Sequence, residues 1–232
     1  MSISIQDFKK VVWSHYLEIE KTFIETFSFV AFDDDNAGTF SEKYFTLYQL
    51  IGSEIDVVAK ELCALINPMG GEDNIHKYCQ TISTHFSFFV NEDIRIKLTN
   101  AIIKPWSCWS FSVKTDRNGV ARVNGTAPTW WKLYNKTKHQ RTQTLASYGK
   151  PFYKYANQKN VRDALAGLFQ LNIYVFMELC RAASQKNQTN DDYVISQSAL
   201  FDVLRSDANH RNGFYRTKTL DGVSLEFFGQ TL

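Results

Sequence analysis

Three long stretches of this chain carry apolar residues at three- and four-residue steps, a pattern that is buried by packing helix against helix. From about Ile5 to Phe32 the recurrence runs through Phe8, Val12, Tyr16, Ile19, Phe23, Phe27 and Val30. A second stretch starts at Thr39 or Ser41, either of which can cap a helix, and stops at Asn67-Pro68-Met69-Gly70-Gly71. Its stripe is Leu47, Ile51, Glu54, Val58, Leu62 and Leu65. The third is capped by Asn157 or Asn160 and runs to about Ser184 with Val161, Leu165, Leu168, Asn172, Val175 and Leu179. Two of the stripes thus hold a polar side chain, Glu54 or Asn172, where an apolar one is the rule. A carboxylate so placed must be neutral, hydrogen-bonded or paired.

Between the second and third stretches lies the run Thr129 to Arg141, placed after Pro128 with Thr129 as its expected N-cap. At about 100° per residue, Trp131, Tyr134, Lys138, Arg141 and Leu145 fall along one side, with Asn135 and His139 on the flank. Cations stand where an amphipathic helix would carry leucines, so Lys138 and Arg141 become the expected partners of Glu54. Trp131 and Tyr134 are expected in the core, and Lys132 and Lys136 outside it.

A shorter helix is expected over 73–86. It contains His76, Cys79 and His85, but their spacing, with or without Cys63, matches no zinc signature, and neither a metal nor a cofactor is expected. From Phe86 to Val123 the pattern changes to short β-rich runs: Phe88–Val90, Ile94–Leu98, Trp109–Val113 and Val120–Val123, with Asn118-Gly119 forming a hairpin turn. A weaker helix is expected from Ser196 to Arg205, then a hairpin around Asp221-Gly222. The fold class is therefore mainly α: four to five helices in residues 1–186, with a β element at about 87–124, and a C-terminal extension over 187–232.

Charge is unevenly spread. Residues 1–63 hold five Lys/Arg against eleven Asp/Glu, whereas residues 129–163 hold eight against one. That asymmetry fits an acidic helix pair docked on a basic helix, or a basic face left free for phosphates. No apolar run reaches the roughly 18 residues of a membrane span, and no signal pattern opens the chain, so a cytoplasmic protein without a membrane partner is expected. Cys63, Cys79, Cys108 and Cys180 read as reduced core residues.

The run Trp130-Trp131-x-x-Tyr134-Asn135-x-x-Lys138-His139-x-Arg141, with Ser53-Glu54-Ile55-Asp56 before it and Asn157-x-x-Asn160-Val161-x-x-Ala164-Leu165 after it, resembles a group of bacterial proteins similar to HEPN domains. These helical bundles are common in toxins, abortive-infection proteins and other antiviral defence systems. The resemblance covers roughly residues 5–185 and implies a HEPN-like bundle, RNA or a nucleotide as partner, and a homodimer. The family's nuclease motif is an Arg followed four to six residues later by His, usually with a polar residue just after the Arg. Asn135 and His139 match the last two, but Tyr134 stands in the place of the Arg. Arg205 and His210 have the literal spacing, beyond the bundle. In the enzymatic reading, a metal-independent endoribonuclease, His139, Asn135, Lys138, Arg141 and Glu54 are the site residues. The histidine, with an ordinary pKa of about 6.5, would move the proton, and the cations would hold the phosphate. The alternative is a catalytically inactive scaffold or interaction module on the same fold.

Overall fold

The computed structural model describes residues 3–184, 194–204, 213–219 and 222–228. Its first stripe forms unbroken helical turns: Ile5–Asp7, a π segment Phe8–Trp13, Ser14–Glu25 and a 3-10 turn Thr26–Ser28, together α1. In a π register residues five apart share a face, so Phe8 and Trp13 are both buried and Trp13 takes the place expected for Val12. The helix stops at Ser28 rather than Phe32. Helix α2 is Glu42–Ile66, started by the Ser41 hydroxyl, which accepts from the Tyr44 amide at 3.1 Å. Helix α3 is Ile75–His85, started by Asn74, and α4 is Thr129–His139. Pro128, not Thr129, is the N-cap of α4, and no side chain caps it. Helix α5 is Gln158–Ser184, with the Asn157 side chain accepting from the Asn160 amide at 3.0 Å.

The core is built around α5. It packs on α1, α2 and α4, and nearly all of its side chains are buried, including Val161, Leu165, Leu168, Val175 and Leu179. No uninterrupted apolar run reaches a span, yet by length and mean composition this helix is apolar enough to cross a membrane, and 94% of that stretch is buried inside the protein. Asn172 is buried as its stripe position requires, and its amide donates to the Leu168 carbonyl at 2.9 Å. Trp106, Trp109 and Trp130 form a ring cluster against α5, where the Trp106 indole N–H donates to the Gly167 carbonyl at 3.2 Å.

Eight strands complete the described residues: β1 Asp93–Ile96, β2 Ile102–Ile103, β3 Ser110–Thr115, β4 Ala121–Thr126, β5 Val194–Ser196, β6 Phe201–Leu204, β7 Gly213–Thr219 and β8 Gly222–Phe228. Strands β3 and β4 pair alone as an antiparallel ribbon turning at Asn118-Gly119, where Gly119 has φ +78. Phe88–Val90 is not a strand, since Phe89–Asn91 forms a 3-10 turn. The expected helix from Ser196 to Arg205 is absent, and strands β5 and β6 occupy residues 194–196 and 201–204. Pairing across the sequence overrides local propensity there: β6 lies antiparallel to β1, with Arg95 2.5 Å and Lys97 3.1 Å from Asp202. The C-terminal hairpin forms as expected from β7 and β8, with β5 parallel to β7. Arg205 and His210 lie outside the described residues.

Three of the cysteines, Cys63, Cys79 and Cys180, are buried. Burial pushes the Cys79 thiol up to about 11 and raises that of Cys63 well above its usual range. Cys108 departs from expectation: it is exposed, in a left-handed turn with φ +68. No group of three or more metal-ligating side chains occurs among the described residues.

Candidate nucleotide site

The aromatic part of the Thr129–Arg141 run faces inward. Trp131 and Tyr134 are buried as expected, and the Trp130 indole N–H donates to the Pro105 carbonyl at 2.6 Å. Tyr134, in the place of the motif arginine, lies flat on the bare backbone of Gly52 in α2 and meets Tyr48 edge-on at 5.8 Å. It fills the core, and a guanidinium there would be buried. Lys132 is exposed, whereas Lys136 is half-buried, donating to the Gln140 side chain at 3.0 Å with its ammonium 5.8 Å from the Phe152 ring. That placement corrects its expected outward position.

The polar part does not converge as the helical projection suggests. Asn135 spends its amide on the Trp131 carbonyl at 3.1 Å, within its own helix. Lys138 and His139 are exposed, Lys138 with its ammonium 5.7 Å from the Tyr134 ring. Glu54 is half-buried on the side of α2 facing α1, and its ion-pair partner is His15 at 3.6 Å, not Lys138, His139 or Arg141. The centre of the α2 stripe belongs instead to Ile51, Ile55 and Val58. Asp56 and Lys60 make an i, i+4 pair at 2.6 Å, and Asp56 also accepts from the Tyr78 hydroxyl at 2.8 Å.

Arg141 escapes the projection because α4 ends at His139. Gln140 leaves helical geometry (φ −134, ψ 35), and the chain turns back so that the Tyr153 amide donates to the Arg141 carbonyl at 3.0 Å. The reversal lays the Arg141 guanidinium over the Phe45 ring at 4.2 Å, a stacked cation–π contact. Phe40 reaches the same place from the other direction, because the segment before α2 bridges to Asn157 at the start of α5. Phe40 and Tyr153 meet edge-to-face at 5.6 Å, with the Lys154 ammonium 5.4 Å from the Phe40 ring. Between these groups lies a cavity of about 250 Å³ lined by Phe40, Ser41, Glu42, Phe45, Arg141, Thr142 and Tyr153. Lys150 stacks over Tyr155 at 4.6 Å nearby in sequence.

Ring faces, a guanidinium with unspent donors and a nearby ammonium suit a base and the phosphate attached to it. Glu42 would oppose a phosphate at its own end of the cavity, but can accept from a ribose hydroxyl. Phe40, Phe45, Tyr153 and Lys154 were absent from the expected site. Their signal was the aromatic and basic interleaving of Lys150-x-Phe152-Tyr153-Lys154-Tyr155, which is legible in the sequence; that Phe40 and Phe45 meet it is not.

Docking of the acidic N-terminal part on the basic helix is not carried by ion pairs. Of the eight cations in residues 129–163, Lys159 and Arg162 pair with Asp163, and only Arg162 reaches an acid of the first 63 residues, Asp34 at 3.9 Å. The other cations lie in solvent or over rings, among them Arg141 and Lys154 over Phe45 and Phe40 of that acidic part.

Comparison with protein-family models, curated proteins and solved structures finds no match to the chain.

Proposed function

We propose that this chain is a HEPN-like protein of a bacterial defence or toxin type that binds RNA or nucleotide phosphates at the cavity beside Arg141. The observation that carries the reading is the Arg141 guanidinium stacked on Phe45 next to the Phe40–Tyr153 ring pair, with Lys154 at the rim. A short helix bearing Trp130 to His139, packed between two long ones, supports the HEPN-like bundle. His139 is exposed at the last position of that helix, two residues from Arg141, which favours it over the other expected groups as the proton carrier of any cleavage. Cleavage by the isolated chain is expected to be weak or nil, because neutral, buried Tyr134 cannot supply an arginine's contact to phosphate.

The test incubates the protein with mixed single-stranded RNA in EDTA, scoring retention and cleavage together, beside Arg141→Ala, His139→Ala and Arg205→Ala. Retention that weakens steeply with salt and falls about tenfold in Arg141→Ala is the expected result, an estimate for one stacked, charge-assisted phosphate contact. No retention by the wild type would sink the reading in favour of the scaffold. EDTA-resistant cleavage lost only in His139→Ala would make the chain a nuclease, and loss only in Arg205→Ala would move the reaction to Arg205 and His210.

A further inference from the structure

Strands β3 and β4 form a two-stranded ribbon with no third strand on either side among the described residues, and every residue in it is exposed except half-buried Val123. Side chains alternate across such a ribbon, and the register sorts them. Phe111, Val113, Ala121 and Val123 share one side. Ser110, Ser112, Lys114, Arg122, Asn124 and Thr126 share the other. Both strands pack near α3, the one half-buried residue belongs to the apolar side, and all six residues of the polar side are exposed.

That polar side carries no acid; the Ser110 and Thr126 hydroxyls are spent at the base of the ribbon, and Ser112, Lys114, Arg122 and Asn124 can donate outward. Lys114 and Arg122 are direct cross-strand partners, a like-charge pairing that disfavours the ribbon on its own. Arg122 is relieved in part by Asp116 in the turn, at 2.9 Å, while Arg117 adds a further cation there. The base of the ribbon is fixed: the Trp109 indole N–H donates to the Ile75 carbonyl at 3.1 Å, and Ser110 and Thr126 join hydroxyls at 2.8 Å. The turn is fixed too, with Asp116 accepting from the amides of Asn118 and Val120 at 2.9 and 3.0 Å.

We propose that the polar side of the β3–β4 ribbon is a second contact surface for a nucleic-acid strand, binding its phosphodiester backbone through Lys114 and Arg122. Charge complementarity selects this occupant: Lys114 and the outer guanidinium nitrogens of Arg122, whose Nε is held by Asp116, stand beside the donors Ser112 and Asn124 and match a row of phosphates, whereas a protein surface would have to supply an equally regular row of acids. The chain's RNA-binding reading guides the choice of probe, but the residues are different ones. Six residues of ribbon span about 20 Å, so a strand longer than a dinucleotide is needed to engage it as well as the cavity.

The test measures binding of a dinucleotide and of single-stranded RNA and DNA of about 30 nucleotides, over a salt series, by fluorescence anisotropy. Lys114→Ser/Arg122→Ser alters exposed side chains and leaves the Asp116 turn bonds in place. It is expected to weaken both long strands about tenfold, to lower the salt slope by about 1.4, and to leave the dinucleotide unaffected, since each phosphate contact on a single strand contributes about 0.7 to the slope. Lys114→Arg/Arg122→Lys, which keeps the charge, should bind as the wild type does. Long-strand affinity and slope unchanged in the serine variant would overturn the proposal, as would a loss confined to RNA, because a backbone contact does not distinguish the two. Failure of the cavity reading shows elsewhere, as a dinucleotide indifferent to Arg141→Ala.

Discussion

Glu20→Ala is expected to destabilise the protein by about 3–5 kcal/mol, the range for stranding several buried donors around a removed acceptor. Glu20 in α1 is 2% exposed and accepts from four groups. The Tyr16 hydroxyl reaches it at 2.7 Å, the Ala199 amide at 2.8 Å and the Leu200 amide at 3.2 Å, and the Ser198 hydroxyl is the fourth. Three of the four belong to the segment between β5 and β6, so this carboxylate fastens the C-terminal part of the chain to the first helix. Burial in the first place, and the Glu20 charge in the second, holds the Tyr16 hydroxyl protonated far above its ordinary range, so it remains a donor throughout physiological pH. Urea unfolding should show the loss as a lower midpoint, and hydrogen exchange should show the Ala199 and Leu200 amides losing protection first. Glu20→Gln, which keeps one acceptor oxygen, should cost less. Wild-type protection of those two amides in Glu20→Ala would mean the segment is held by its β6–β1 pairing alone.

Gly52→Ala sets two rules against each other. Helix propensity predicts a gain of about 1 kcal/mol for alanine over glycine inside a helix. Packing predicts a loss, because a β-carbon on Gly52 would stand 2.3 Å from two ring atoms of Tyr134 and 2.6 Å from a third. The ring cannot swing away freely: Tyr134 is 3% exposed and wedged between Tyr48 and Trp131, at 5.8 and 5.3 Å. Overpacking of this kind costs about 1–3 kcal/mol, and at a contact this short the upper part of that range outweighs the propensity gain, so a net destabilisation is expected in denaturant unfolding. Gly52→Ala/Tyr134→Leu should cost less than the two changes summed, since the leucine removes the clash. A more stable Gly52→Ala would show that α2 and α4 separate easily. The same contact gives a physical reason for the departure at position 134: an arginine there would press a charge onto the α2 backbone inside the core. Restoring the motif by Tyr134→Arg is thus expected to destabilise the bundle rather than to create a nuclease.

The bundle was legible because periodicity is a local property. Leu47, Ile51, Val58 and Leu62, and Val161, Leu165, Leu168 and Val175, are buried as their spacing requires. The caps at Ser41 and Asn157, and the turn at Asn118-Gly119, also follow from residue type at a single position. The misreadings arose where a local pattern was extended past its own end. Arg141 lies two residues beyond a helix that stops at His139, and Glu54 occupies the flank of its stripe rather than the centre.

The sequence by itself determined the mainly helical class, the long helices with their caps narrowed to two candidates each, the burial of Trp131, Tyr134 and Asn172, and the hairpin turn at Asn118-Gly119, because each depends on residues within a few positions of one another. Only the tertiary structure decided that β6 would pair with β1 instead of forming a helix, that Glu54 would meet His15, and that Arg141 would stack on Phe45 beside Phe40 and Tyr153. Those outcomes join residues tens to more than a hundred positions apart. Their geometry depends on where each helix stops and on which packed face the returning chain meets, and neither is written in the spacing of any one segment.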